Sequence, residues 1–235
     1  MSTTGFIISF VLSAILFEPC FSQVDYSNYE KVLNNNVTSS GIVDYESIIR
    51  NDLDVLHRSL DQISRTDPQR LSTDEQLAFW INAYNAYTIK LIIDHWPVRS
   101  IMEINDGEPW DKKWIRIDDK TYSLDDIEHD IIRDQFGDPR IHFAVNCAAK
   151  SCPPLLNKPF TGATLDEQLD DQTRKFVNDS RSNQISQNQL ILSKIFEWYE
   201  EDFADLIAFL NKYSETDIDP DASIRYNTYD WTINN

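Results

Sequence analysis

Ser72-Thr73-Asp74-Glu75-Gln76-Leu77-Ala78-Phe79-Trp80-Ile81-Asn82-Ala83-Tyr84-Asn85-Ala86-Tyr87, continuing through Lys90 to Asp94, is the longest helical pattern in the chain. Ser72, three residues before Glu75, forms a capping box, and Pro97 follows the end. At about 100° per residue, Lys90 and Asp94 mark a wet side, with Ala83 on the same meridian. Asn85 lies nearly opposite and Asn82 is turned well away, both beside Ile89, so both amides point inward. A buried amide left without partners costs about 1–3 kcal/mol, so each must be hydrogen-bonded. Such an amide either orients a catalytic side chain or substrate, or ties the backbone of a neighbouring loop.

Working outward, residues 25–63 read as helical with a turn at Ser39-Ser40-Gly41, and Asp67-Pro68 breaks the pattern. After the long helix, Lys113–Ile117 and Lys120–Tyr122 form a hairpin. Ser123 caps a short helix that carries Asp125 and Asp126 in its first turn. Arg140–Asn146 alternates as a strand, Leu165–Val177 is helical, and Asn183–Leu192 is a second hairpin. Ile195, Trp198, Tyr199, Phe203, Leu206, Ile207 and Leu210 share one face of a closing helix, and a last strand lies at Ile224–Tyr226. No repeat, low-complexity tract or linker interrupts the chain. The expected fold is α+β, a mostly helical single domain over residues 23–235 with a small antiparallel sheet.

With 41% hydrophobic residues among 235, the chain can bury a real core without needing two domains. Its 39 acidic and 21 basic residues give a formal charge of -18. That field repels phosphate backbones and anionic membranes, so nucleic acid is a poor partner. A cationic or neutral small molecule fits better, although bare solubility also accounts for the charge. Gly5–Phe17 is an apolar run closed by Glu18-Pro19, and Cys20-Phe21-Ser22 resembles a cleavage site. Residues 1–22 therefore read as a signal peptide, with an uncleaved anchor as the alternative because no Lys or Arg precedes the run. The expected location is secreted or periplasmic. Two sequons, at Asn36 and Asn178, would matter only in a eukaryotic secretory pathway.

Polar residues on apolar faces mark the candidate site. In the helix after Ser123, Glu128 falls among Leu124, Ile127 and Ile131, where a carboxylate must be paired or protonated. Arg140 is a candidate partner, and a pKa-tuned acid or base is the functional alternative. His129 falls outside that face, as a solvated helix histidine does. In the expected strand, Ile141, Phe143 and Val145 face the core while Arg140, His142 and Asn146 share the other side. Cleavage of the leader would remove Cys20 and leave Cys147 and Cys152. They could form a disulfide worth about 2 kcal/mol, provided the segment turns to bring their Cα atoms within about 7 Å. Alternatively, one is a nucleophile with His142 or His129 as base and Asn82 or Asn85 as orienter. A metal held by His142, Cys147 and Cys152 is the least supported reading, since the tight Cys-x2-Cys knuckle is absent. No cofactor is implied.

Five blocks in order resemble the domain of unknown function 547 (DUF547) family across nearly the whole mature chain. They are Ala78–Ala86, Ser123–His129, Pro139–Ala149 with Ser151-Cys152-Pro153, Leu192–Phe203, and Tyr229-Asp230-Trp231. Ala149 departs from the pattern, where Ser is expected. The resemblance implies a shared fold and a shared cluster without an attached reaction. It draws attention to Asn82, Asn85, Glu128, His129, Arg140, His142, Cys147 and Cys152. A buried helix followed by strands bearing His also looks like papain or transglutaminase cores, except that Asn stands where those enzymes place Cys.

Two functions follow as expectations, and the sequence leaves open whether the chain is an enzyme. The first is an exported binding or interaction domain whose polar site is the His142, Cys147 and Glu128 region, for a small molecule or envelope component. The second is a thiol-dependent amidase, peptidase or acyltransferase with Cys147 as nucleophile and His142 as base.

Overall fold

The computed structural model describes residues 24–235. The expected leader, with Cys20, lies outside them. The helices in chain order are α1 (Ser27–Asn36), α2 (Tyr45–Ser47), α3 (Leu53–Ser64), α4 (Thr73–Asp94), α5 (Asp134–Phe136), α6 (Leu165–Val177), α7 (Ile195–Trp198) and α8 (Leu206–Tyr213). The strands are β1 (Ile115–Ile117), β2 (Lys120–Tyr122), β3 (Gln184–Ile185), β4 (Gln189–Leu192) and β5 (Ser223–Tyr226). β1 and β2 form an antiparallel hairpin. β3 and β4 pair antiparallel, and β5 joins β4 in parallel. The fold is mostly helical α+β, as the sequence pattern requires, and no described helix is long and apolar enough to cross a membrane.

α4 organises the larger core. Ser72 accepts from the Glu75 N–H at 3.4 Å, which is half of the capping box. The Glu75 carboxylate instead accepts from the Gly162 N–H at 2.6 Å. A Cβ at Gly162 would lie 2.7 Å from that carboxylate oxygen, so the approach requires glycine. The expected wet meridian shrinks to the C-terminal end: Lys90 pairs with Asp94, but Ala83 is fully buried. α3, the segment Asp126–Arg133 and the turn at Gly162–Thr164 pack against the helix, and α1 packs on α3.

Asn82 and Asn85, 1% and 2% exposed, are buried as expected, and both tie loop backbones. Asn82 donates to the Phe160 carbonyl at 2.8 Å and accepts from the Phe160 N–H at 2.9 Å. Asn85 donates to the Ala144 carbonyl at 2.9 Å and accepts from the Asn146 N–H at 2.8 Å. Each amide thus replaces a β-ladder partner for a chain segment that has none.

That segment is where expectation and structure part. Pro139–Phe143 is a 3-10 turn, with Asp138 accepting from the Arg140 N–H at 2.9 Å and Pro139 at its start. Ile141, His142 and Phe143 are all buried, so the alternation read as a strand has no exposed face. Ile141 enters the core around α4, and Phe143 enters a second cluster with Phe176, Phe196 and Leu210. The expected closing helix is likewise broken: α7 gives way to a 3-10 turn at Glu200–Phe203, then Ala204 takes φ 53°. Asp205 caps α8 by accepting from the Ala208 N–H at 2.9 Å. After Ser123, the reciprocal Ser123–Asp126 cap opens a π-helix, Asp126–Arg133, in place of a regular α-helix. Both sequon asparagines are engaged, Asn36 with Asp52 and Asn178 with the Tyr213 carbonyl.

Asn82→Ala and Asn85→Ala each orphan one buried carbonyl and one buried N–H. Urea unfolding of each variant should show a loss of about 2–4 kcal/mol, against under about 0.5 kcal/mol for a surface change such as Asp54→Ala.

Candidate functional site

Five of the eight residues singled out in the sequence line one cleft of about 210 Å3: Glu128, His129, His142, Cys147 and Cys152 lie together there. Asn82, Asn85 and Arg140 do not. Arg140 pairs with Asp138, Asp166 and Asp170 and ties the 3-10 turn to α6. It is therefore not the partner of Glu128. That carboxylate accepts a hydrogen bond from the Tyr199 hydroxyl at 2.9 Å. Burial, followed by the nearby Glu128 charge, pushes the Tyr84 and Tyr199 phenols well above their ordinary values, so both stay protonated donors.

His142 is placed by the 3-10 turn with its side chain 1% exposed. Its Nε2 lies 2.7 Å from Asp202 Oδ2, and its ring stacks on Tyr199 at 3.9 Å between centroids. Asp202 also receives two bonds from Arg133, at 2.6 and 2.9 Å. Burial alone would raise the Asp202 carboxyl, but Arg133 and His142 hold it below the usual range. A carboxylate can only accept, so Nε2 carries the proton and Nδ1 the lone pair. Burial also lowers the imidazole below its ordinary value despite Asp202, keeping it neutral at neutral pH. Nδ1 is buried and has no hydrogen-bond partner among the described residues. A free base is thereby held in fixed orientation at the cleft.

The cysteines are reached through Asn146. Its amide donates to the Pro153 carbonyl at 2.7 Å and accepts from the Ala148 N–H at 2.9 Å, folding residues 146–153 into a tight loop. Ala148, at φ 63°, makes the reversal. The loop sets the sulfurs of Cys147 and Cys152 3.0 Å apart as free thiols in hydrogen-bond contact. The Tyr229 hydroxyl lies 3.2 Å from Cys147 Sγ. The Cys152 contact lowers the Cys147 thiol against the opposing effect of burial, and Tyr229 adds to the lowering. Burial pushes Cys152 up, so Cys147 ionises first. No hydrogen bond joins Cys147 to His142; the two groups face the same cleft separately. No three His, Cys, Asp or Glu side chains converge as metal ligands among the described residues.

Asp202, Tyr199, Tyr229 and Asn146 complete this site, and residue-by-residue reading missed their roles. Tyr199 and Asp202 were read as part of a single closing helix. The α-helix in fact ends at Trp198, and Asp202 sits in the 3-10 turn that follows, two residues before the break at Ala204, which sequence periodicity does not reveal. The ordering of the thiols is measurable by alkylation. The Cys147 midpoint should lie below the value of about 8.5 for a free cysteine. Cys152→Ser should move it upward and Tyr229→Phe should move it upward by less, read by mass spectrometry of iodoacetamide-labelled peptides across pH.

The comparisons with known proteins reach three of the five blocks, those at residues 78–86, 123–129 and 139–153. No curated protein and no solved structure matches the chain. A family model described as "Protein of unknown function, DUF547" matches residues 68–177, about half the chain. The match spans α4, the π-helix, the His142 turn and both cysteines; the Tyr199–Asp202 and Tyr229–Trp231 segments lie beyond it. On that match, the chain belongs to the DUF547 family.

Proposed function

We propose that this chain is an exported thiol-dependent acyl-transfer enzyme, an amidase, peptidase or acyltransferase, in which Cys147 is the nucleophile, His142 the base and Asp202 the residue that positions the base. The observation that carries the reading is His142: a buried neutral imidazole with Nε2 committed to Asp202 and a bare Nδ1, on the same cleft as a thiol of lowered pKa. A binding domain has no need of a base held in one tautomer on the same cleft as a thiol of lowered pKa. The leader-like residues 1–22 support a setting outside the cytosol.

In the proposed reaction, the Cys147 thiolate adds to the carbonyl carbon of an amide or ester. The proton it gives up is held at His142 Nδ1. Collapse of the tetrahedral adduct breaks the bond to the amine or alcohol, which leaves with that proton and leaves a thioester on Cys147. Water or a second nucleophile then loses its proton to Nδ1 and attacks the thioester, releasing the acid or transferred acyl product and regenerating the thiol. Substrate in the cleft bridges the two groups, which have no direct bond to each other.

The 3.0 Å sulfur contact favours a second reading, thiol–disulfide exchange. Cys147 thiolate would attack one sulfur of a substrate disulfide and expel the other half as a thiol. Cys152 would then lose its proton and attack Cys147 sulfur, releasing a second thiol and leaving Cys147–Cys152 oxidised.

The reduced protein mixed with p-nitrophenyl acetate should give a burst of p-nitrophenolate and an acetyl group on the Cys147 peptide. Cys147→Ala should abolish both, and His142→Ala should slow the burst by about 10²–10⁴-fold. The acid limb of the pH profile should lie below the usual histidine value of about 6.5. The lowered imidazole keeps its base form as pH falls through that value and loses it only further down. Asp202→Asn removes a charge that raises the imidazole, so the limb should shift to still lower pH. A Cys152→Ser protein that keeps the burst supports acyl transfer. One that loses it and accumulates a mixed disulfide on Cys147 supports exchange. No burst in any form would leave the cleft as a binding site.

A further inference from the structure

The outer part of the same cleft has a chemistry that the thiol and imidazole do not use. Trp198 is 46% exposed, although it belongs to a buried-looking apolar pattern. It packs on Tyr229 at 4.8 Å and stacks with Trp231 at 5.8 Å between centroids. Trp231 in turn contacts Trp110 at 5.8 Å. Three indoles and a phenol thus form a continuous aromatic wall at the mouth. Asp111, Asp125 and Glu128 line the same space, and no lysine or arginine does.

Those acids are not neutralised from within. Arg133, which lies over the Tyr199 ring at 5.4 Å, spends its bonds on Glu201 and Asp202. Asp125 has only His129 beside it, at 3.6 Å. Burial, with contributions from Asp111, Glu128 and Asp130, raises the Asp125 carboxyl against the lowering effect of His129, as expected for uncompensated like charges. His142, whose Nδ1 is buried without a hydrogen-bond partner among the described residues, lines the same space. Indole faces attract cations, more strongly as the cation is desolvated, and carboxylates in the same cleft add to that attraction. The overall charge of -18 draws cations toward the surface before they reach the cleft.

We propose that the wall of Trp110, Trp198 and Trp231 with Asp111 and Asp125 is a cation subsite, which seats the ammonium or guanidinium group of a substrate whose acyl carbon reaches Cys147. The substrate class is a basic-residue amide, a peptide or acyl compound carrying a primary ammonium or guanidinium a side-chain's length from the carbonyl. The role in catalysis rests on the thiol reading above, whereas binding of the cation does not.

Binding is therefore measured on the Cys147→Ala protein, by tryptophan fluorescence titration with Nα-acetyl-lysine amide and its neutral counterpart, Nα-acetyl-norleucine amide. The lysine amide should bind at least about tenfold more tightly at low salt, with the difference shrinking as salt rises. Asp125→Asn, close to isosteric, should reduce the preference severalfold. Trp198→Ala, at an exposed position, should weaken the lysine amide more than the norleucine amide. Equal affinity for the two amides, or a preference unmoved by Asp125→Asn and Asp111→Asn together, overturns the cation subsite. Either result leaves the burst experiment untouched, so the two proposals fail separately.

Discussion

A side-chain amide in the middle of a fully buried helix must find partners for both of its ends, and in this protein the site is built on that requirement. Asn85 meets it by taking the Ala144 carbonyl and the Asn146 N–H, two groups of a chain segment with no sheet to join. His142 lies just before that clamp and Cys147 just after it. Asn146, anchored by its own backbone, then uses its side chain to fold the loop through Ala148 and Pro153. The base and the two sulfurs are thus fixed relative to the helix by a chain of satisfied buried polar groups. Such networks specify one arrangement because every alternative leaves a donor or acceptor dry.

The second constraint comes from the other end of the chain. Asp202 reaches His142 from the short turn after α7, and Arg133 of the π-helix holds both oxygens of the carboxylate. Tyr199, one turn earlier, stacks on the same imidazole and donates to Glu128. Tyr229 comes from later still, after β5, to meet Cys147. Three distant segments therefore converge on one cleft, and the pKa directions follow: imidazole lowered by burial, Asp202 lowered by its hydrogen bonds from Arg133 and His142, Cys147 lowered by its sulfur and phenol neighbours.

Much of this was legible in the residues. Both helix amides were placed inward from helix geometry alone, the capping serines were identified by their spacing, and the two hairpins fall where turn chemistry puts them. The His142 segment misled because Ile-His-Phe-Ala-Val alternates by polarity whether or not it is a strand. Asp138-Pro139 at its head favoured a 3-10 start, and its apolar residues divide between two cores, Ile141, Ala144 and Val145 in one and Phe143 in the other. The assignment of Arg140 to Glu128 failed for a related reason. Ion pairing depends on which elements meet, and three aspartates on and near α6 claimed the guanidinium first. Asp202 was unreadable as a partner, since nothing local to it signals a histidine 60 positions away.

The account turns on His142 being a neutral base whose tautomer is set by Asp202. Long-range proton–nitrogen correlation spectra of the reduced protein, labelled with 15N at histidine, read this directly. The account predicts that His142 keeps its proton on Nε2 with a bare Nδ1 at neutral pH and as pH falls below about 6.5, and that Asp202→Asn alters its nitrogen shifts while leaving those of His57 and His95 in place. An imidazolium at neutral pH, or a ring protonated on Nδ1, would contradict it.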